Sequence, residues 1–409
     1  MNLEPDLIIR NSRLRGEDKA LVDIAVVGNK ISNIEPKIKS KAKLEIDASG
    51  NIVSESFVNP HLHLCKVWTL ELMDGSTLDA YQGSNMSHAA SAIEMASDVK
   101  NKYGYEDILI RARRATTLAA LNGNLHIRAF ADVDSISKLD AVQALLKVKK
   151  EFEGIVTLQV VAFPQDGIIK NEGTATLLEE ALALGADVVG GIPWIECTDS
   201  DSQEHINLCF DLAKKYNKDI SMLLDDAGDA GLRTLEMMAL ESIKRNWHGR
   251  CIAHHCRAMA LYPAPYVHRL LELLKRAKIS VVSDPHTAPL HANVKELLLQ
   301  GVTVSLGQDD ISDAYYPFGR NNMLEVAFLA SHLLWMTKKQ EIELLFEMIT
   351  KNAAIAMNLS DHKIAIGAIA NMVILENQNI TECIRNHSQP TYVISNGVVL
   401  DFKALRKNI

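Results

Sequence analysis

The sequence predicts an α/β fold: a (β/α)₈ TIM-like barrel carrying a small β-domain built from both chain ends. Three observations predict it. The middle of the chain alternates apolar, β-branched runs with stretches of helical spacing, eight times over. Both ends read instead as short antiparallel strands with hairpin turns. The length, 409 residues, exceeds one minimal domain and suits a large barrel with a small companion.

At the N-terminal end the strand-like runs are Asp6–Arg10, Val22–Val27 and Lys30–Ile34, with Gly28-Asn29 as the turn between the last two. The same style returns in Met372–Leu375 and Tyr392–Val399, with Asn396-Gly397 as a turn. The expected division is residues 1–55 plus 360–409 for the small domain and 56–359 for the barrel. Barrel strands are expected at Phe57–His63, Leu125–Asp134, Ile155–Ala162, Ala186–Ile192, Ile220–Leu224, Cys251–His255, Ile279–Ser283 and Val302–Leu306. Helical spacing lies between them, in Ala141–Phe152, Leu177–Leu184, Ile206–Tyr216, Leu232–Arg245 and Tyr266–Ala277. Nearly continuous apolar strands fit a parallel sheet buried on both faces. No glycine-rich phosphate loop follows the first strand, which argues against a doubly wound open sheet.

The composition is that of a soluble globular enzyme, 47% hydrophobic and 23% charged. A formal net charge of -8, without clustered Lys and Arg, argues against a nucleic-acid partner. No apolar run has the roughly 18 to 20 residues of a membrane span, and the N-terminus does not read as a signal peptide. The six cysteines form no CxxC pair, so reduced thiols and a cytoplasmic location are expected. The expected partner is a small-molecule substrate.

In a barrel, chemistry collects where strands end. The first strand ends in Asn59-Pro60-His61-Leu62-His63. Histidines two apart on a strand share a face, so both imidazoles can reach one ion, Zn or Fe. The eighth ends in Gly307-Gln308-Asp309-Asp310, where a carboxylate can ligate a metal and carry a proton from water, or simply cap the next helix. The sixth ends in His254-His255, of which strand alternation lets one point inward. After the third, Pro164-Gln165 offers an amide that can read a heterocycle edge. Trp194, after the fourth, is a candidate for stacking on a ring.

These blocks resemble the cytosine deaminase branch of the amidohydrolase superfamily, which includes N-isopropylammelide aminohydrolases. The resemblance is carried by Phe57-Val58-Asn59-Pro60-His61-Leu62-His63-Leu64, by Leu158 to Gln165, by Leu184 to Pro193, and by Gly307-Gln308-Asp309-Asp310 with Tyr316-Pro317-Phe318-Gly319. It extends to the tail, Ile366 to Leu375. It implies a barrel inserted in a β-sandwich-like domain and one divalent metal, Zn or Fe. The implied reaction is hydrolysis, by activated water, of a non-peptide C–N bond in a small nitrogen heterocycle. By resemblance, His61, His63 and Asp309 are metal ligands, Gln165 holds the ring and His255 is the inward histidine that steadies the attacking water. Asp310 lines the substrate pocket, and Asp226 stands where cytosine deaminases carry a catalytic Glu and the ammelide branch usually an Asp. Barrels of this type often self-associate, so a homo-oligomer is also expected.

The chain departs from that pattern at several places. Leu223 stands where the family carries a metal-binding His on the fifth strand, and Phe130 where it carries a pocket His. Cys65, Gln308 and Tyr315 also differ. Two rescues of the metal site stay open: Asp225, two residues beyond Leu223 on the same face, as a substitute carboxylate, or His255 as a third imidazole. The alternative is a metal-free homologue, a non-hydrolytic enzyme or a ligand-binding protein, using the same pocket. A scaffold without chemistry is a third reading. Cytosine itself is not the expected substrate, because Asp226 and Phe130 alter positions that would touch the ring. Loop geometry sets the pocket shape, and the segment Thr69–Lys100 after the first strand varies relative to the family.

Overall fold

The computed structural model describes residues 4–16, 20–73, 86 and 89–408. One sheet has eight parallel strands in chain order: Phe57–Leu62, Asn124–Asp132, Thr157–Phe163, Val188–Gly191, Asp219–Leu224, Cys251–His255, Ser280–Ser283 and Val304–Leu306. We number these barrel strands one to eight. A bridge between Leu62 and Asp309 joins the first to the last and closes the sheet into a barrel.

Period-two alternation sorts the strand residues into two cores. Ala129, Val160, Val189, Met222 and Leu224 face outward and pack with the surrounding helices. Phe130, Val161, Val188 and Leu223 face inward and form a separate cluster inside the barrel. Helices Asp140–Glu151, Thr174–Leu184, Asp199–Tyr216, Thr234–Lys244 and Ala264–Ala277 follow strands two to six. The last buries Tyr266, Val267, Leu270, Leu271, Leu274 and Ala277, a helical stripe that ends at Lys278 in a left-handed cap (φ 52°).

The chain ends meet in a second, mixed sheet, where Met372–Ile374 runs antiparallel to Ile52–Glu55. Its long strand Leu7–Leu14 is parallel to Leu44–Asp47 over its first half and to Ile52–Val53 over its second. The switch falls at Asn11, which has a positive φ of 52°. Two leaves therefore diverge from one strand and enclose a shared core of Leu7, Ile9, Ile24, Val53, Met372 and Ile394. The strands at Leu44–Asp47 and Ile52–Glu55, four residues each, escaped the sequence reading.

The two hairpin turns singled out in the sequence touch each other. Gly397 has φ +81°, and a Cβ there would stand 2.2 Å from the carbonyl oxygen of Gly28. Gly397→Ala therefore combines a strained backbone with a backbone clash. It is expected to cost about 2–4 kcal/mol of stability, measured by urea unfolding. Among the described residues no helix is long and apolar enough to cross a membrane.

Candidate metal centre and active site

The site is built on the seam where the barrel closes. Asp309 donates its N–H to the His61 carbonyl, and the His63 N–H donates to the Asp309 carbonyl, each at 2.9 Å. Gly307 makes this approach possible, since a Cβ there would stand 2.7 Å from the His61 Cβ. Asn59 ties the seam from within, its Oδ1 accepting from the His61 and Gln308 N–H groups. The His61 Nε2 lies 2.9 Å from Asp309 Oδ1, and the His63 Nε2 lies 3.7 Å from the same oxygen.

Burial pushes the pKa of both imidazoles down, that of His63 far down, so each keeps a free lone pair at neutral pH. Burial pushes Asp309 up, but His255, His61 and contact with Asp284 outweigh it and hold the carboxyl well below its usual range. Neutral imidazoles around an ionised carboxylate are a donor set that fits zinc or iron. One donor atom each from His61, His255, Asp284 and Asp309 falls within 4.8 Å of the others, as does one each from His63, Asp309 and Asp310. The residues present thus fit a metal ion.

Strand five contributes no ligand. Leu223 presents an isobutyl group to the pocket. The expectation that Asp225 substitutes for the missing imidazole is corrected here. Its Oδ1 accepts from the Thr234 N–H and hydroxyl, both at 2.7 Å, and from the Leu235 N–H; its Oδ2 accepts from the Tyr262 hydroxyl at 2.7 Å. A left-handed backbone at Asp225 (φ 47°) turns the carboxylate away to cap the helix Thr234–Lys244.

Asp226 does face the pocket. Its Oδ1 is held by Arg257 at 2.5 Å, and its Oδ2 lies 3.8 Å from the His255 Nε2. Burial raises its pKa against the pull of that guanidinium. Arg257 also donates to the Thr287 hydroxyl at 2.6 Å and lies 3.6 Å from both Asp284 and Asp309. The sequence reading missed Arg257 and Asp284. The signal for Asp284 was its place directly after strand seven, where strand-end polar residues collect. The expectation that only one of His254 and His255 points inward is also overturned. His255 takes a left-handed backbone (φ 66°), which breaks the alternation, and the His254 ring also lies inside, 4.5 Å from that of His61.

Gln165, Trp194, Asp310, Leu223 and Tyr315 line a pocket over the centre. Of the segment Thr69–Lys100, Ala89 and Ile93 line this pocket, while residues 74–85, 87 and 88 lie outside the described residues. Lys66 donates to the Gln165 Oε1. An ammonium has only donors, so the Gln165 amide must turn its oxygen to Lys66 and its NH₂ elsewhere. Phe130, expected in the substrate pocket, is fully buried beneath it, its ring 4.4 Å from His61 and 5.3 Å from His63. It is floor, packed under the imidazoles.

Beside the pocket, Glu196 joins the loops after strands three and four. Its carboxylate accepts from the N–H groups of Ile168, Ile169 and Lys170 and from the His205 Nδ1–H at 2.7 Å. The His205 Nε2 in turn accepts from the Ile192 N–H, which fixes that ring as neutral, in keeping with its burial-lowered pKa.

The Amidohydrolase family model matches residues 44–401. N-isopropylammelide isopropyl amidohydrolase of Pseudomonas sp. (strain ADP) is 30% identical over 98% of both chains. The structure of 5-methylcytosine deaminase from Klebsiella pneumoniae liganded with 5-fluorocytosine is 30% identical, with a TM-score of 0.89 over 96% of this chain and 97% of that one. N-isopropylammelide isopropylaminohydrolase from Burkholderia multivorans ATCC 17616 shares the fold, with a TM-score of 0.83 at 23% identity over 96% and 97% of the two chains.

Proposed function

Because the chain belongs to the amidohydrolase family, hydrolases of carbon–nitrogen bonds other than peptide bonds, we propose that it removes an amine from a small aminated nitrogen heterocycle. The observation that carries this is one pocket lined by His63, Asp309, Asp226, Gln165 and Asp310, with the His61 Nε2 2.9 Å from the Asp309 carboxylate. Two relatives at 30% identity, named for N-isopropylammelide and 5-methylcytosine, support it.

His61, His63 and Asp309 would hold one divalent metal, zinc or iron. Such an ion supplies a Lewis acid that makes water nucleophilic at neutral pH. Asp226 takes the proton from the attacking water and returns it to the leaving amine, its Oδ1 anchored so that Oδ2 stays at the pocket. The Gln165 NH₂ donates to a ring acceptor, Asp310 faces a ring N–H, and Trp194 covers a ring face. The setting we propose is a reducing, cytoplasmic one, in line with six free cysteines.

One observation favours the metal-free reading. The Arg257 guanidinium, 3.6 Å from both Asp284 and Asp309, already places a cation among the carboxylates. Elemental analysis separates the two. Protein purified without added metal is expected to hold close to one equivalent of zinc or iron, lost in His61→Ala, and to release ammonia or amine from a panel of aminopyrimidinones and aminotriazines. No metal after dialysis against zinc and iron would overturn the hydrolytic reading.

A further inference from the structure

Strand five leaves the centre one donor short, and strand six makes an unusual provision beside it. Leu223 pairs in register with His254, and Leu224 with His255. Regular alternation would send His255 outward with Leu224, which packs in the outer core. Instead His255 and Cys256 both adopt left-handed backbone, φ 66° and 52°. Two consecutive non-glycine residues in that region are costly, and such strain persists where surrounding structure enforces it, often at functional sites. The result is that the His255 ring enters the barrel, 4.9 Å from that of His61.

Strand seven then fixes the ring. The His255 Nδ1 lies 2.9 Å from the Asp284 carboxylate, and both residues are buried. A carboxylate on one ring nitrogen sets the tautomer and leaves the other nitrogen with its lone pair, which is how ligating histidines are usually held. We propose that His255, oriented by Asp284, supplies the third imidazole of the metal centre in place of a strand-five ligand. The inference rests on reading the site as a metal centre and adds to it a ligand and a positioning residue. His254 is the weaker claimant, because it belongs to neither group of gathered donor atoms.

The test uses the purified full-length protein, stripped and reloaded with cobalt(II), and reads stoichiometry, affinity and the visible ligand-field spectrum. Wild type is expected to take up one equivalent. Asp284→Asn, which leaves every ring in place, is expected to weaken cobalt binding about 10–100-fold. His255→Ala is expected to weaken it further and to shift the ligand-field bands. A His255→Ala protein holding one equivalent with the wild-type spectrum would overturn the proposal while leaving the hydrolase reading intact. Unchanged affinity in Asp284→Asn would overturn the orienting role, whatever the folding of the alanine variant. Wild type that takes up neither cobalt nor zinc would sink both the proposal and the reading beneath it.

Discussion

Asp226→Asn is expected to lower kcat about 10²–10⁴-fold on whichever aminated heterocycle the wild type turns over, with metal content unchanged. The size follows from the loss of a proton acceptor at the reacting centre. Its selectivity follows from the geometry. An asparagine has the shape of the aspartate, and its oxygen can still accept from Arg257, which now holds Asp226 at 2.5 Å. The anchor survives and only the basic oxygen beside His255 is lost. Steady-state kinetics with elemental analysis of the same preparation checks this. Turnover within tenfold of wild type would remove Asp226 from the proton path.

The second large effect is on stability. Glu196→Ala is expected to destabilise the protein by about 3–5 kcal/mol, because three backbone N–H groups and the His205 Nδ1–H lose one buried acceptor. Glu196→Gln keeps an oxygen for some of these donors and should cost less. The same latch has a pH signature. Burial pushes the Glu196 pKa up, but His205 and the loop N–H groups outweigh it and leave it lowered. A carboxyl with a lowered folded pKa contributes stability that is present above its unfolded pKa and lost as pH falls through the folded one. His205, also lowered, acts in the same direction, since the unfolded chain takes up its proton first. Stability should therefore decline on acidification, beginning below about pH 6.5 with His205 and steepening below about pH 4.3 with Glu196. Glu196→Ala should remove only the second part, since burial keeps His205 lowered without its partner. Urea unfolding from about pH 3 to 8 measures it. A wild-type profile no steeper than the variant's at the acid end would mean the carboxylate carries no such linkage.

Much of the fold could be read in advance because parallel barrels write it locally. Strand six, Cys251–His255, and the hairpin strand Val22–Val27 lie at the expected residues. The closing seam was visible as two polar strand ends, one with His61 and His63 and one with Asp309. What stayed hidden was decided by single backbone angles and by partners distant in sequence. Asp225 shares an ideal strand face with Leu223, yet its φ of 47° sends the carboxylate to the next helix. His255 enters the barrel for the same kind of reason. Phe130 occupies an inward position, but depth along the strand, which a residue pattern does not encode, puts it under the pocket. Asp284 and Arg257 gain meaning only through neighbours about 30 positions away.

The closing seam has a consequence for how the molecule is assembled. His61 and Asp309 are 248 positions apart in the chain, so an ion held between them acts as a tie across most of its length. In the chain-entropy account, a covalent link closing a loop of 100 residues restricts the unfolded chain by about 4.7 kcal/mol, and the dependence on length is slow. A coordinated cation works in the same direction while it remains bound. The barrel cannot be sealed until its last strand has been synthesised, so the candidate metal centre is also the final joint of the structure. Amide hydrogen exchange at His63 and Asp309, whose N–H groups close the seam, should therefore report metal occupancy, slow in the loaded protein and faster once the tie is removed.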